Sequence, residues 1–224
     1  FVITLLVGSF PFIFVKKAAP LSMKDGFITI VVAWVLSFVF GMLPYVLWGG
    51  EFSLMNAWFE SVSGYTTTGS TILTNIEALP KSLLFWRSST HFIGGLGVIV
   101  FLLLVMPQAS PYRLKLTNME MSTLSKGGYR YNSAKVIRVI TGVYVFFTVA
   151  AFLSLWAAGM TFFDAVNHAF SLAATGGFST RNLSVGYYDS DLINLVVMIF
   201  MAVCAMHFGL VYAVFVTRSF KPMN

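Results

Sequence analysis

The sequence predicts an all-α integral membrane protein made of a repeated unit: a transmembrane helix, a pore half-helix with a filter loop, and a second transmembrane helix. Three observations carry this. Only 10% of the 224 residues are charged and 58% are hydrophobic, whereas a soluble domain carries about 25% charged residues. Polar surface is therefore too scarce to cover a soluble globule. Four apolar segments, 27–48, 83–106, 136–158 and 192–217, have the length of spanning helices. The stretches joining the first to the second and the third to the fourth share one layout. A cytoplasmic enzyme domain, a disordered tail and a disulfide scaffold are excluded. The single cysteine, Cys204, has no second cysteine to pair with.

In chain order, residues 1–22 read as the end of a leading transmembrane helix and an inner loop. The chain begins at Phe1 and shows no charged region with a cleavage site, so no signal peptide is expected and both ends look cut. Residues 23–107 form a first span–loop–span unit, with Gly41 and Pro44 near the end of its first helix, where a kink costs little. Residues 108–135 form a basic cytoplasmic linker, 136–217 a second unit, and 218–224 the start of a further cytoplasmic connection.

Each unit carries an amphipathic stretch of about ten residues, which as a helix would rise about 15 Å, half a bilayer. These stretches are 53–62 and 161–171, followed by Gly/Thr-rich segments 63–71 and 172–180. Non-helical backbone at membrane depth is tolerated only where it lines a cavity or is buried in protein. Aligning Thr68-Gly69 with Thr175-Gly176 also lays the first two spans onto the second two, so the units read as an internal repeat.

Charge sets the orientation. With both loops entering from outside, Lys16, Lys17, Lys24, Arg113, Lys115, Lys126, Arg130, Lys135, Arg138, Arg218 and Lys221 lie inside, and Lys81, Arg87 and Arg181 outside. This agrees with the positive-inside rule. The net charge of +6 is thus orientation charge in contact with lipid, and no nucleic-acid partner is expected.

The loops suggest a chemistry. In Thr66-Thr67-Thr68-Gly69-Ser70, glycine permits close backbone approach and threonine adds oxygen without charge. Such a run can aim successive carbonyls at an axis, which is how a dehydrated alkali cation is held. A half-helix ending there adds partial negative charge. The second loop offers Ala174, Thr175, Gly176, Gly177 and Phe178, with Ala173-Ala174 where the same alignment places Thr66-Thr67. Glu60 either braces the filter or is a partly solvated helix carboxylate. Asp164 is either a helix-capping anion or an outer vestibule charge.

Phe59-Glu60-Ser61-Val62-Ser63-Gly64-Tyr65-Thr66-Thr67-Thr68-Gly69-Ser70-Thr71 resembles the first pore unit of the Trk/Ktr/HKT superfamily of potassium transporters, in its bacterial Trk branch. The resemblance extends through His91-Phe92-Ile93-Gly94-Gly95-Leu96-Gly97-Val98 to Phe163-Asp164-Ala165 and Thr175-Gly176-Gly177-Phe178-Ser179-Thr180. It implies potassium uptake across the bacterial inner membrane, with no covalent cofactor and potassium as the ion. It implies filter oxygens from Thr66, Thr67, Thr68, Gly69, Ser70, Ala174, Thr175, Gly176, Gly177 and Phe178, with Gly69 and Gly176 favouring potassium and Glu60 and Asp164 in support. It also implies four pore units, of which this chain holds the first two, a homodimer, and a cytoplasmic nucleotide-binding regulatory subunit docking on the 107–135 segment. The alternatives are a secondary transporter of a small solute with re-entrant loops and a non-conducting membrane scaffold. An intramembrane enzyme would need a nucleophile–base or metal constellation, and none has credible spacing.

The remaining residues read plainly. His91, His168 and His207 are expected to make hydrogen-bonded helix contacts. Arg87, near a span end, is expected to snorkel. Gly94-Gly95-Leu96-Gly97 follows no strand and lies in a span, so it is expected to serve close helix packing.

Overall fold

The structure is a computed structural model that describes residues 23–105 and 133–206. The leading apolar segment 1–15, the basic segment 108–132, the far end of the fourth span with His207, and residues 218–224 lie outside the described residues. Among the described residues all regular structure is helical. The elements are α1 (Met23–Trp48), α2 (Leu54–Tyr65), α3 (Lys81–Val105), α4 (Ser133–Ala157), α5 (Phe162–Ala173) and α6 (Asp191–Cys204). Short 3-10 turns at Ile76–Ala78 and Ser184–Tyr188 follow the two loops.

The half-helices start at side-chain caps. Ser53 accepts from the Asn56 N–H at the start of α2. Thr161 accepts from the Asp164 N–H, as an N-cap does, and donates its hydroxyl to the Asp164 carboxylate at the start of α5. Both half-helices run 12 residues, past the predicted C-terminal ends at 62 and 171. Small residues let them seat deeply. A Cβ on Gly41 of α1 would meet the Ser61 hydroxyl and the Tyr65 ring of α2, and Ser61 Oγ donates to Phe38 O at 2.8 Å. Pro44 lies inside α1 and, having no N–H, cannot complete the helical ladder. The Trp86 indole of α3 donates to Gly41 O in that turn.

Helix α3 is central. It packs on α1 and α2 of its own unit and on α4 and α5 of the next, while α4, α5 and α6 pack on one another. Outward faces are apolar: Phe27, Val31, Val32, Leu36 and Phe40 on α1, and Leu192, Leu195, Met198 and Ile199 on α6, are exposed. Unpaired apolar surface of this extent suits lipid rather than water. Among the described residues, Lys24–Trp48 and Ile140–Ala157 are long and apolar enough to cross a membrane.

Candidate functional site

The two loops correspond in a register one residue beyond the one their identical letters suggest. Half-helix α2 runs Leu54–Tyr65 and α5 runs Phe162–Ala173, so Tyr65 corresponds to Ala173. Thr68 N–H bonds Ser63 O at 3.0 Å, and Gly176 N–H bonds Ser171 O at 2.9 Å. Thr67 (φ 55°) and Thr175 (φ 52°) are both left-handed, as are Gly69 (φ 77°) and Gly177 (φ 123°). The shared Thr-Gly pair therefore misleads. Thr68 corresponds to Gly176, Gly69 to Gly177, and Thr66 to Ala174. Left-handed β-branched residues are genuine outliers, and strain of this kind persists where the surroundings over-determine the backbone.

The loops touch each other. A Cβ on Gly69 would lie 2.5 Å from Gly176 O and 3.3 Å from Gly177 Cα. Among the described residues, no donor reaches the carbonyls of Thr66, Thr67, Thr68 and Gly69 or of Ala174, Thr175, Gly176 and Gly177. Thr66, Thr68, Thr175 and Gly177 are exposed. Two arcs of unengaged carbonyls thus sit side by side at the C-terminal, electronegative ends of two half-helices. Ser70 differs from these, since its carbonyl accepts from Ser63 Oγ at 2.6 Å. Phe178 turns its ring inward, 4.1 Å from the His91 ring centroid.

One face of α3 forms the wall behind both loops. Residues 87, 90, 91, 94 and 95 share that face by helical spacing. A Cβ on Gly64 would strike Thr90, one on Gly176 would strike His91, one on Gly94 would strike the Tyr65 carbonyl, and one on Gly95 would come within 3.1 Å of Ala174. Gly94 and Gly95 therefore serve close packing, as the sequence suggested. What they pack against is the C-terminal end of each half-helix. His91 also contacts Ser171 Oγ at 3.4 Å.

Behind the loops lie polar braces. Glu60 is fully buried, so the solvated reading of this carboxylate does not hold. It accepts from Thr71 Oγ1 at 2.8 Å and Ile72 N at 3.2 Å. At the equivalent place in the second unit, His168 pairs with Ser179 Oγ at 3.0 Å and with Asp164 O at 2.7 Å. Asp164 is 2% exposed. It accepts from Thr180 Oγ1 at 2.6 Å and Arg181 Nη2 at 3.1 Å besides its capping bond, so it is not a solvated vestibule charge. The expectation for Arg87 is overturned. It does not snorkel; it is 1% exposed and bonds Glu60 Oε1 through Nε at 2.8 Å. A carboxylate across the helix interface draws it inward, where the low dielectric strengthens the pair.

Beyond these braces Asn182 accepts from Ile76 N at 2.7 Å, and Arg181 pairs with Glu77 at 3.6 Å. These contacts join the segment after the second loop to the segment after the first. Sequence reading did not single out Asn182; a lone asparagine in a polar loop carries no signal of its partner.

All 224 residues match the model of one protein family, TrkH, described as a cation transport protein. The chain belongs to the TrkH family. It is 36% identical to the Trk system potassium uptake protein TrkH of Salmonella typhimurium over 92% of this chain and 43% of that protein. It is 37% identical to the Trk system potassium uptake protein TrkG of Escherichia coli K12, over 100% of this chain and 47% of the relative. The crystal structure of the potassium transporter TrkH from Vibrio parahaemolyticus matches with a TM-score of 0.75 at 32% identity, over 96% of this chain and 43% of that one. The chain thus spans a little under half the length of these relatives. As a TrkH family member it is an all-α membrane protein, and its relatives are named as transporters.

Proposed function

We propose that this chain forms two adjacent quadrants of a potassium pore, with a selectivity filter made of backbone carbonyls. The observation that carries the reading is the pair of abutting loops. Each follows a half-helix of 12 residues, each holds a left-handed threonine and glycine, and among the described residues no protein donor reaches the carbonyls of 66–69 or of 174–177. Uncharged oxygens at a helix C-terminus attract a monovalent cation and replace its hydration shell. The named activity of the relatives, potassium uptake, agrees with this chemistry.

In this reading Thr66, Thr67, Thr68, Gly69, Ala174, Thr175, Gly176 and Gly177 supply oxygens, and Glu60 and Asp164 hold the descending strands of the loops. Ser70 and Phe178 act as anchors. Further chain supplies two more quadrants, and the assembled transporter sits in the bacterial inner membrane with its loops facing outward. A second copy and a cytoplasmic regulatory subunit complete it.

Two arcs leave an ion without ligands on its open sides, and carbonyls facing lipid there would each be unsatisfied at a cost of several kcal/mol. Purified residues 1–224 in liposomes are expected to pass no potassium down a gradient, while the full-length transporter passes it with rubidium accepted and sodium excluded. Selective, barium-sensitive flux through the 1–224 piece would contradict the four-quadrant reading.

A further inference from the structure

We propose that Arg87 is a positioning residue that couples the two filter loops, so that the geometry of one depends on the other. The inference rests on the filter reading above.

Arg87 belongs to the first unit but reaches into the second. Its Nε donates to Glu60 Oε1 at 2.8 Å, and Glu60 holds Thr71 and Ile72, the strand descending from the first loop. Its Nη1 donates to Ser179 O at 3.2 Å, on the strand descending from the second loop. Its guanidinium carbon stands 4.1 Å from the centroid of the Phe178 ring, on which the His91 ring also stacks. Ser179 Oγ continues the chain to His168 on α5. The result is an unbroken polar path, Thr71–Glu60–Arg87–Ser179–His168, passing behind both arcs.

The chemistry needs arginine here. A planar fork can serve a carboxylate and a carbonyl in different directions while lying flat on a ring. A lysine ammonium is a point charge on a flexible stem and cannot hold all three contacts at once. Glu60 is equally required, because a bare guanidinium buried behind a cation filter would repel the ion it serves. Selectivity depends on the number and field of the carbonyls, so slack in this path reaches both arcs.

The test uses the full-length transporter in liposomes, with competitive rubidium and sodium uptake at matched protein level. Arg87→Lys is expected to lower the rubidium-to-sodium ratio about tenfold, the factor by which one lost charge-assisted contact shifts an equilibrium. Glu60→Gln with Arg87→Gln removes both charges. It is expected to restore the protein level lost in either single variant, because no unpaired charge remains buried, yet to leave the ratio low. A purely structural role would restore level and ratio together, and that result would overturn the proposal. Phe178→Leu keeps the ion pair and removes the ring, so the ratio should fall by a smaller factor. If Arg87→Lys does not accumulate, an unchanged ratio in Phe178→Leu overturns the coupling. Gly69→Ser in the same assay separates the two readings. If it lowers the ratio while the Arg87 and Phe178 variants do not, only the coupling fails. If none of them moves the ratio, the filter assignment fails with it.

Discussion

Gly69→Ser is expected to abolish most discrimination of potassium over sodium in the full-length transporter. Gly69 sits at φ 77°, a conformation that costs an ordinary L-residue about 1–2 kcal/mol. Its added Cβ would lie 2.5 Å from Gly176 O, closer than real contacts allow, and that obstacle is backbone of the other loop. Relief requires both arcs to move apart by fractions of an ångström. A loss of about 1.4 kcal/mol in ion preference is a tenfold fall in the ratio. A displaced carbonyl in each arc makes a fall of that order the minimum expected. Competitive uptake of rubidium against sodium measures it. The same substitution at Gly177, the register equivalent, meets nothing within 4 Å and is expected to act through backbone strain alone, with a smaller effect.

Gly94→Ala is expected to cost folded protein rather than selectivity. Its Cβ would strike the Tyr65 carbonyl and lie 2.7 Å from Tyr65 C and 2.9 Å from Tyr65 Cα. These are backbone atoms at the end of α2, held by the half-helix and unable to rotate away. Overpacking of this kind costs roughly 1–3 kcal/mol, and here α3 must separate from α2 along its length. Gly97→Ala is the control, because its nearest neighbours are Trp34 ring atoms at 3.7 and 3.8 Å, an ordinary contact. Thermal unfolding of detergent-purified protein should show a clear fall in midpoint for Gly94→Ala and none for Gly97→Ala. Equal midpoints would contradict the packing assigned to α3.

Much of this architecture is legible in the sequence because its determinants are local. Apolar runs mark the long helices, short amphipathic stretches mark the half-helices, and Gly/Thr content marks the loops. The register between units is less legible. Aligning on the identical pair Thr-Gly matched Gly69 to Gly176, whereas the hydrogen bonds of Ser63 and Ser171 and the left-handed residues fix the shift one residue further on. Residue identity reports chemistry, and in these loops backbone conformation is what the two units share. The inward course of Arg87 is hidden for a related reason. A cation near a helix end points to water unless something opposite it is negative, and what lies opposite is set by tertiary packing of α2 on α3. The burial of Glu60 depends on that same packing and is equally invisible in the sequence. The Gly94-Gly95 pair was legible as a packing device, but the element it receives was not.

In the proposed function the paired loops hold a dehydrated potassium ion on their carbonyls. The most direct measurement is anomalous diffraction from crystals of the full-length transporter soaked in rubidium or thallium. Density is expected on the axis bounded by the carbonyls of Thr67, Thr68 and Gly69 and of Thr175, Gly176 and Gly177, and is expected to be lost in Gly69→Ser. Strong density elsewhere in the protein, with none between these two loops, would contradict it.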